Sequence, residues 1–355
     1  MEKTIKVLHV LTSTRFSGAE NVACQIIHCF KDEKSTYRMM YCSPDGQIKE
    51  ALAERKVTFI PLESWSLKNL KKVIRETKPD IIHAHDMKAS FYSAILCGDI
   101  PLISHIHNNN YNSRGFSIKS ILFFYSAQKA KHIFWVSKSA YEGYAFHNRF
   151  KEKSSVLYNI IDQEELREKV MKDTRHYDYN VVFLGRLTYQ KNPVRLISVL
   201  GMIANRYDGI KSAVIGTGEL YAETEKEIER IKKQDSISMI GFKSNPYKML
   251  CDAKVMIMTS RWEGLPMCAL EAMSLGVPIV STPTDGLKEL IEDGVTGYLS
   301  DKDDVLAERI IEILQKEQLH SFLSENCIKK AEMLMNTEKY RKEIEEEYIR
   351  DLETE

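Results

Sequence analysis

The sequence has 355 residues, long enough for two domains with full hydrophobic cores. It is 43% hydrophobic and 28% charged with no formal net charge, the balance of an ordinary globular protein and not of one that grips nucleic acid by bulk charge. Its seven cysteines are odd in number and include no C-x-x-C pair, no run nears the ~18 apolar residues of a membrane span, and Met1-Glu2-Lys3 leads directly into a strand, so a cytoplasmic chain with reduced thiols and no signal peptide is expected.

Residues 5–11 read as a buried parallel strand, followed by Thr12-Ser13-Thr14-Arg15-Phe16-Ser17-Gly18-Ala19-Glu20 and a helix over about 19–30. A strand, a small-residue loop containing Gly18 and a helix N-terminus make a nucleotide-type crevice, although a lone glycine loop is weak evidence. Strands at 37–41, 57–60, 80–84, 101–105 and 132–135 then alternate with helices at about 46–55, 66–77, 87–97, 117–130 and 137–146. Such alternation predicts a doubly wound parallel sheet with ligands beyond the carboxyl ends of its strands. Two His-x-His pairs, His83/His85 and His105/His107, stand at such ends, and alternate strand residues share a face. A metal site needs a third and fourth ligand. Asp86 is the only near candidate, so packed or hydrogen-bonded histidines are expected and no metal.

A short strand at 154–157 precedes Tyr158-Asn159-Ile160-Ile161-Asp162, and the apolar-poor stretch 163–178 reads as linker and short helix. The strand–helix pattern then restarts. Val181-Val182-Phe183-Leu184 runs into Gly185-Arg186-Leu187-Thr188-Tyr189-Gln190-Lys191-Asn192-Pro193 and a helix over 193–206. A guanidinium and an ammonium five positions apart in one loop, Arg186 and Lys191, can clamp a diphosphate; taken alone they are as well explained as solvated cations. A strand ending at Ile215 leads to Gly216-Thr217-Gly218-Glu219, and a strand at 237–240 leads to Gly241-Phe242-Lys243. Asp301-Lys302-Asp303 precedes a helical pattern, where an N-cap outweighs a D-x-D cation site. In the last segment Tyr340, Ile344, Tyr348 and Leu352 recur every four residues along one helix face.

The most informative stretch is Ser260-Arg261-Trp262-Glu263-Gly264-Leu265-Pro266-Met267-Cys268-Ala269-Leu270-Glu271-Ala272-Met273-Ser274-Leu275-Gly276-Val277-Pro278-Ile279-Val280. It reads as strand end, tight loop at Gly264, helix from Pro266 at its first position, a Gly276 cap and a new strand. The helix N-terminus suits phosphate. Glu263 and Glu271 bracket it, and carboxylates there make sense as acceptors for sugar or ribose hydroxyls.

This Glu-x7-Glu in its S-x-x-E-G-L-P…E-A…G-x-P-I-V setting resembles glycosyltransferase family 4, the retaining transferases of the GT-B fold. The resemblance covers nearly the whole chain, its specific motifs lying in 185–290. It implies an α/β protein of two doubly wound Rossmann-like domains facing a central cleft: 1–165 on the acceptor side, 166–336 for the nucleotide-sugar, and a helix 337–355 returning to the first domain. It implies that Glu263 lies over the donor sugar, that Glu271 holds the ribose hydroxyls, and that Gly264, Leu265 and Pro266 meet sugar and phosphate through their backbone. Gly185-Arg186 with Lys191-Asn192 is similar to the family's G-R-x5-K-N, which makes Arg186 and Lys191 the diphosphate clamp. Gly216 and Gly218 would line the nucleotide and Phe242 the base. His107, with His105 as the alternative, would reach the donor sugar beside the anomeric carbon. Two departures stand out: Ser17-Gly18 replaces the usual Gly-Gly pair, and Ile160 replaces the glycine of N-G-x-D.

The activity implied is transfer of a hexose-type sugar from a nucleoside diphosphate, UDP above all, to a glycan or lipid-linked glycan hydroxyl, the leaving phosphate taking the acceptor's proton. No cofactor or metal is expected if Arg186, Lys191 and the helix N-terminus stabilise the departing diphosphate. A nucleotide-sugar epimerase using Asp86, and a non-catalytic donor-binding partner, are the alternatives. Donor hydrolysis without acceptor separates catalysis from mere binding. Residues 1–165 carry a net charge of +6 against −6 for the remainder. Residues 108–153 hold eight cations (Arg114, Lys119, Lys129, Lys131, Lys138, Arg149, Lys151, Lys153) against Glu142 and Glu152. With the apolar run from Phe116 to Tyr125 they suggest docking on an anionic membrane surface, unless Ile118, Leu122 and Tyr125 pack on the sheet. Ser104-His105-Ile106-His107-Asn108 followed by a basic helix resembles capsule and exopolysaccharide transferases.

Overall fold

The computed structural model describes residues 4–31, 36–107, 115 and 117–353. Met1, Glu2, Lys3, Asn108, Arg114 and Phe116, which entered the expectations above, lie outside the described residues. The chain divides into two compact units, Met1–Ile160 with Asn336–Glu355, and Ile161–Met335. These units meet at 160/161 and 335/336.

The first unit has a parallel sheet of seven strands: β1 (Ile5–Val10), β2 (Tyr37–Pro44), β3 (Phe59–Leu62), β4 (Ile81–His85), β5 (Leu102–Ile106), β6 (His132–Trp135) and β7 (Ser154–Val156), in the order β3-β2-β1-β4-β5-β6-β7. The chain reverses its direction of build-up between β1 and β4, so the loops after these two strands flank the crevice where such sheets take ligands. Helices α1 (Gly18–Cys29), α2 (Ile48–Glu54), α3 (Leu67–Thr77), α4 (Asp86–Leu96), α5 (Ile118–Lys129) and α6 (Lys138–Gly143) fill the crossovers. Side-chain caps start several of them: Ser66 accepts from Asn69 N, Ser117 from Ser120 N and Ser137 from Ala140 N.

The second unit opens with α7 (Gln163–Met171), capped by Asp162. Its six parallel strands are β8 (Val181–Leu184), β9 (Ser212–Ile215), β10 (Ile237–Gly241), β11 (Val255–Met258), β12 (Ile279–Ser281) and β13 (Gly297–Leu299), ordered β10-β9-β8-β11-β12-β13 with the reversal between β8 and β11. Helices α8 (Pro193–Arg206), α9 (Tyr221–Arg230), α10 (Tyr247–Asp252), α11 (Met267–Ser274), α12 (Asp285–Leu290), α13 (Asp303–Gln315) and α14 (Glu317–Leu334) surround it. Its core is aliphatic, with Val181, Leu196, Leu200, Val214, Ile257 and Ile310 fully or almost fully buried.

The last helix, α15 (Thr337–Glu353), belongs to the first unit. Tyr340, Ile344 and Tyr348 are buried along one face of it, and the ring of Tyr348 lies 5.8 Å from Phe30 and 5.9 Å from Tyr37. Two local expectations need correction. Pro266 is the N-cap of α11 and not its first residue: its backbone is extended (φ −72, ψ 123) and its carbonyl accepts from Ala269 N, the first bond of the helix. Neither aspartate caps α13. Lys302 stands at its N-cap, while Arg195 binds the Asp303 carboxylate at 2.6 Å and the Asp301 carbonyl.

Candidate donor site and a histidine row

In the second unit the loops after β8 and β11 meet beside the point where the strand order reverses. They are sewn together along their length. Arg261 N donates to Gln190 O at 2.8 Å, the Arg261 guanidinium reaches Tyr189 O and Asn192 Oδ1 and lies 4.3 Å over the Tyr189 ring, and Thr259 Oγ1 donates to Lys191 O. The loop after β9 closes in from the side. A Cβ on Gly216 would fall 1.9 Å from Gly185 O, so only glycine fits there, and Gly218 lies as tightly against the Leu187 carbonyl. Gly216 N donates to Gly241 O, which brings the β10 loop alongside with Phe242 exposed at its tip.

Lys191 and Glu263 face each other at the centre. Lys191 Nζ donates to Glu263 Oε1 at 2.6 Å, Ser260 Oγ donates to the same oxygen at 2.5 Å, and Gln190 Nε2 donates to Glu263 Oε2 at 3.2 Å and to Trp262 O at 3.0 Å. The Glu263 side chain is only 5% exposed and that of Lys191 12%. Burial works against the Lys191 ammonium, yet the adjoining carboxylate outweighs it and holds the lysine above its ordinary pKa. Arg186 is exposed, and its charge acts on Lys191. Gly264, Leu265 and Pro266 are buried in the turn that starts α11. Glu271, one turn further in, accepts from Tyr247 Oη at 3.0 Å. Cys268 sits among Lys191, Glu263 and Glu271, its thiol pushed up to about 11 chiefly by burial.

Arg186, Lys191, Gly216, Gly218, Glu263, Gly264, Leu265, Pro266 and Glu271 therefore gather at one end of one sheet. Sequence reasoning missed three of their supports. Gln190 and Ser260 hold the Glu263 carboxylate, and Tyr247 holds that of Glu271. It missed Gly286 as well, whose Cβ would lie 1.4 Å from Gly264 O and push the turn away. Gln190 and Ser260 lay inside quoted motifs, whereas nothing local marks Tyr247 or Gly286.

Gly18 and His107 belong to the first unit. Gly18 is the first residue of α1, and space beside it is open. The preceding Ser17 donates to the buried Glu20 at 2.5 Å. His107 follows β5 and is half-buried; its backbone N–H meets Asp86 Oδ1 at 3.2 Å, and its Nε2 lies 2.7 Å from His85 Nδ1. Asp86 itself has a left-handed backbone (φ 70), rare outside glycine, and burial raises its carboxyl pKa to about 6. His85, His105 and His83 are buried, and His9 from β1 joins them, which sequence spacing did not show. By distance alone, His9/His83/His85 or His85/His105/His107 can hold a metal ion, their ligand atoms lying within 4.8 Å of one another. Asp86 is thus not the partner these histidines find first. They find each other.

Residues 16–165 match a family model described as Glycosyltransferase Family 4, and residues 162–332 one described as Glycosyl transferases group 1. The chain is 26% identical over 270 residues to a poly(glycerol-phosphate) alpha-glucosyltransferase of Bacillus subtilis strain 168, which covers 74% of this chain and 38% of that protein. It is 29% identical over 247 residues to an uncharacterized glycosyltransferase of Methanocaldococcus jannaschii, covering 61% of this chain and 60% of that one, so it spans less than two thirds of either relative. It is 24% identical over 385 residues to the UDP-Gal:alpha-D-GlcNAc-diphosphoundecaprenol alpha-1,3-galactosyltransferase of Escherichia coli, covering 97% of each. Among solved structures, Anabaena HepE in complex with UDP-glucose superposes with a TM-score of 0.81 at 20% identity over 96% of this chain and 98% of that one. At that identity the likeness speaks to the fold.

Proposed function

The chain belongs to the family 4 glycosyltransferases of GT-B fold, and we propose that it moves a hexose-type sugar from UDP, with retention of the α configuration, to a hydroxyl of a glycan or lipid-linked glycan in surface-polysaccharide synthesis. The observation that carries this is the buried Lys191–Glu263 pair at the reversal of the second sheet, with Glu271 beyond it. The relatives that transfer glucose or galactose, and a structural neighbour holding UDP-glucose, support the donor class.

In this mechanism the donor competes for both members of the pair. The diphosphate draws Lys191, with Arg186 and the α11 N-terminus completing a site for the charge that grows as the sugar departs. Glu263, released on one side, stays tethered by Ser260 and Gln190 and accepts from sugar hydroxyls. Glu271, aligned by Tyr247, takes the ribose hydroxyls. To His107, by the family resemblance, we assign a part in the sugar-transfer step. The C1–O bond to the diphosphate breaks, the acceptor oxygen bonds to C1 on the same face, and the acceptor's proton passes to the leaving phosphate. These side chains do the electrostatic work, so the reaction proceeds without a metal ion.

We further propose that the first unit docks on an anionic membrane. Among the described residues no helix is long and apolar enough to cross one. On α5, however, Ile118 and Ile121 are 78% and 55% exposed, and Leu122 and Tyr125 are exposed beside Lys119 and Lys129. The buried face of α5 is instead Ser120, Phe123, Ser126 and Ala127, so packing on the sheet does not account for its outer apolar residues.

The deciding experiment is a panel of UDP-, GDP- and ADP-sugars, read by thermal shift and by slow diphosphate release without acceptor. A donor at a hundred times its Kd should add roughly 2.7 kcal/mol of stability. Stabilisation by a UDP-hexose with release of UDP supports the proposal. No shift and no release with any donor would remove it. The anomeric configuration of a transferred product, read by NMR, tests retention separately.

A further inference from the structure

His9, His83, His85, His105 and His107 form one row across three neighbouring strands of the first unit. His9 pairs in register with His83 on β4, and His85 with His105 on β5, so the side chains come up on one face of the sheet. Two of the contacts run head to head. His107 Nε2 lies 2.7 Å from His85 Nδ1, and His85 Nε2 lies 3.0 Å from His9 Nδ1. The ring centres are 5.0 and 5.3 Å apart, one ring width more than the nitrogens, which is the geometry of an in-line N–H···N bond and not of face-to-face stacking. His85 therefore spends both nitrogens inside the row.

Along the line His107–His85–His9 the ring nitrogens are not aimed at a shared metal ion. An ion needs lone pairs from three rings to converge on one point. Those of His107, His85 and His9 point at one another. His105 lies face to face on His107, with ring centres 4.2 Å apart.

We propose that His85 and His9 are positioning residues for His107, holding its ring in one orientation and deciding which of its two nitrogens carries the hydrogen. The inference rests on the reading above that gives His107 a part in the sugar-transfer step. A neutral imidazole has one N–H and one lone pair. If His85 accepts from His107 it must donate to His9, and if it donates to His107 it must accept from His9. The hydrogen on His107 is thereby tied to that on His9, two residues away along the line. Only a charged His85 could donate both ways, and burial, followed by His83, His107, His9 and His105, opposes that charge. Among the described residues, the groups acting on the row from other elements are Asp86 at the start of α4, with Glu20 of α1 near it, His132 of β6, whose charge would bear on His83 and His105, and Tyr348 of α15, whose hydroxyl lies 2.7 Å from His83 Nδ1.

The test is ring-15N-histidine NMR on the full chain. In the wild type His107, His85 and His9 should each show a single neutral tautomer at neutral pH, with slowly exchanging low-field N–H protons between them. His9→Phe, which leaves His107 and His85 in place, should shift His107 to a mixture of tautomers and lower kcat about tenfold with little change in donor KM. His85→Leu should do the same, and His85→Gln, which can still accept and donate, should recover part of the loss. A His85 that titrates near ordinary histidine pH, a His107 tautomer unmoved by His9→Phe, or stoichiometric metal in protein purified without chelators would each overturn the proposal. If His9→Phe or His85→Leu fails to fold, the wild-type spectrum alone decides. The underlying assignment of His107 fails separately, if His107→Ala leaves kcat unchanged while the wild-type protein shows the coupled tautomers.

Discussion

The two units are built on the same plan and spend their polar residues differently. The second has no charged or imidazole side chain on its strands, and in the loops beyond β8 and β11 Lys191, Glu263 and Glu271 are each matched by a named partner. The first carries six imidazoles on or directly after its strands (His9, His83, His85, His105, His107 and His132), and several of their ring nitrogens have no hydrogen-bond partner among the described residues: His9 Nε2, His83 Nε2, both nitrogens of His105, and His107 Nδ1. Unpaired buried polar atoms cost about 1–3 kcal/mol each. The first unit thus holds its polar rings within the sheet layer, while the second puts its costly group, a buried ion pair, at the site proposed for the donor.

The largest effects should come from splitting that ion pair. Glu263→Ala should lower kcat by a factor on the order of 10²–10³, as removal of one well-placed electrostatic partner does. Lys191→Ala should cut turnover comparably and also lower stability by about 3–5 kcal/mol, because Glu263 is left buried and unpaired. Arg186→Ala should reduce turnover with little change in Tm, since Arg186 is exposed. Steady-state kinetics with melting curves separates the three, and unchanged turnover in both cation variants would remove the clamp.

Acid should then distinguish the units. Burial lowers His9 and His107 from 6.5 to about 3, and lowers His132 as far with help from Arg350 and Lys153. Between those values the unfolded chain binds protons that the folded chain refuses, so the stabilisation is whole above about pH 6.5 and drains away as pH falls toward 3, by roughly 1.4 kcal/mol per pH unit for each histidine. Hydrogen exchange at pH 7.5 and 5 should show β1, β4 and β5 losing protection before β8, β9 and β11. Equal loss in both sheets would contradict the contrast.

A smaller effect is expected at Glu271. Glu271→Gln and Tyr247→Phe should raise donor KM more than they lower kcat, because ribose contacts act alike in ground and transition states. If Glu271→Gln behaves like Glu263→Ala, the division between sugar and ribose is wrong. At the outer surface, Ile118→Ser with Ile121→Ser should weaken co-sedimentation with anionic liposomes and leave transfer to a short soluble acceptor intact. Wild-type protein that ignores such liposomes at low salt would end the docking proposal. The smallest expected effect is none at all: excess EDTA should not change turnover, and loss restored by Mn²⁺ or Mg²⁺ would show a metal-dependent reaction.

How far each unit could be read in advance follows from where its polar residues sit along the chain. Ser260 to Glu271 is one continuous loop and helix start, and Arg186 to Asn192 another. Turn chemistry and residue type within such stretches already suggest a phosphate and a hydroxyl-bearing ligand, the family resemblance adds the nucleotide-sugar, and the strand–helix alternation already implies two parallel sheets. The histidine row is spread over β1, β4 and β5, with His9 more than seventy positions from His83. A strand's pattern tells which residues share a face and says nothing of which strand lies next to it. Adjacency depends on sheet order, and the reversal at β1 and β4 is a property of the folded sheet. The same holds for Lys191 and Glu263: both were legible as charged site residues, but their pairing requires β8 beside β11. Local chemistry was determined by the sequence alone because it acts over a few bonds. Partnership was decided only by the tertiary structure, because burial, in-line hydrogen bonds and the exposure of Ile118 arise when distant segments pack.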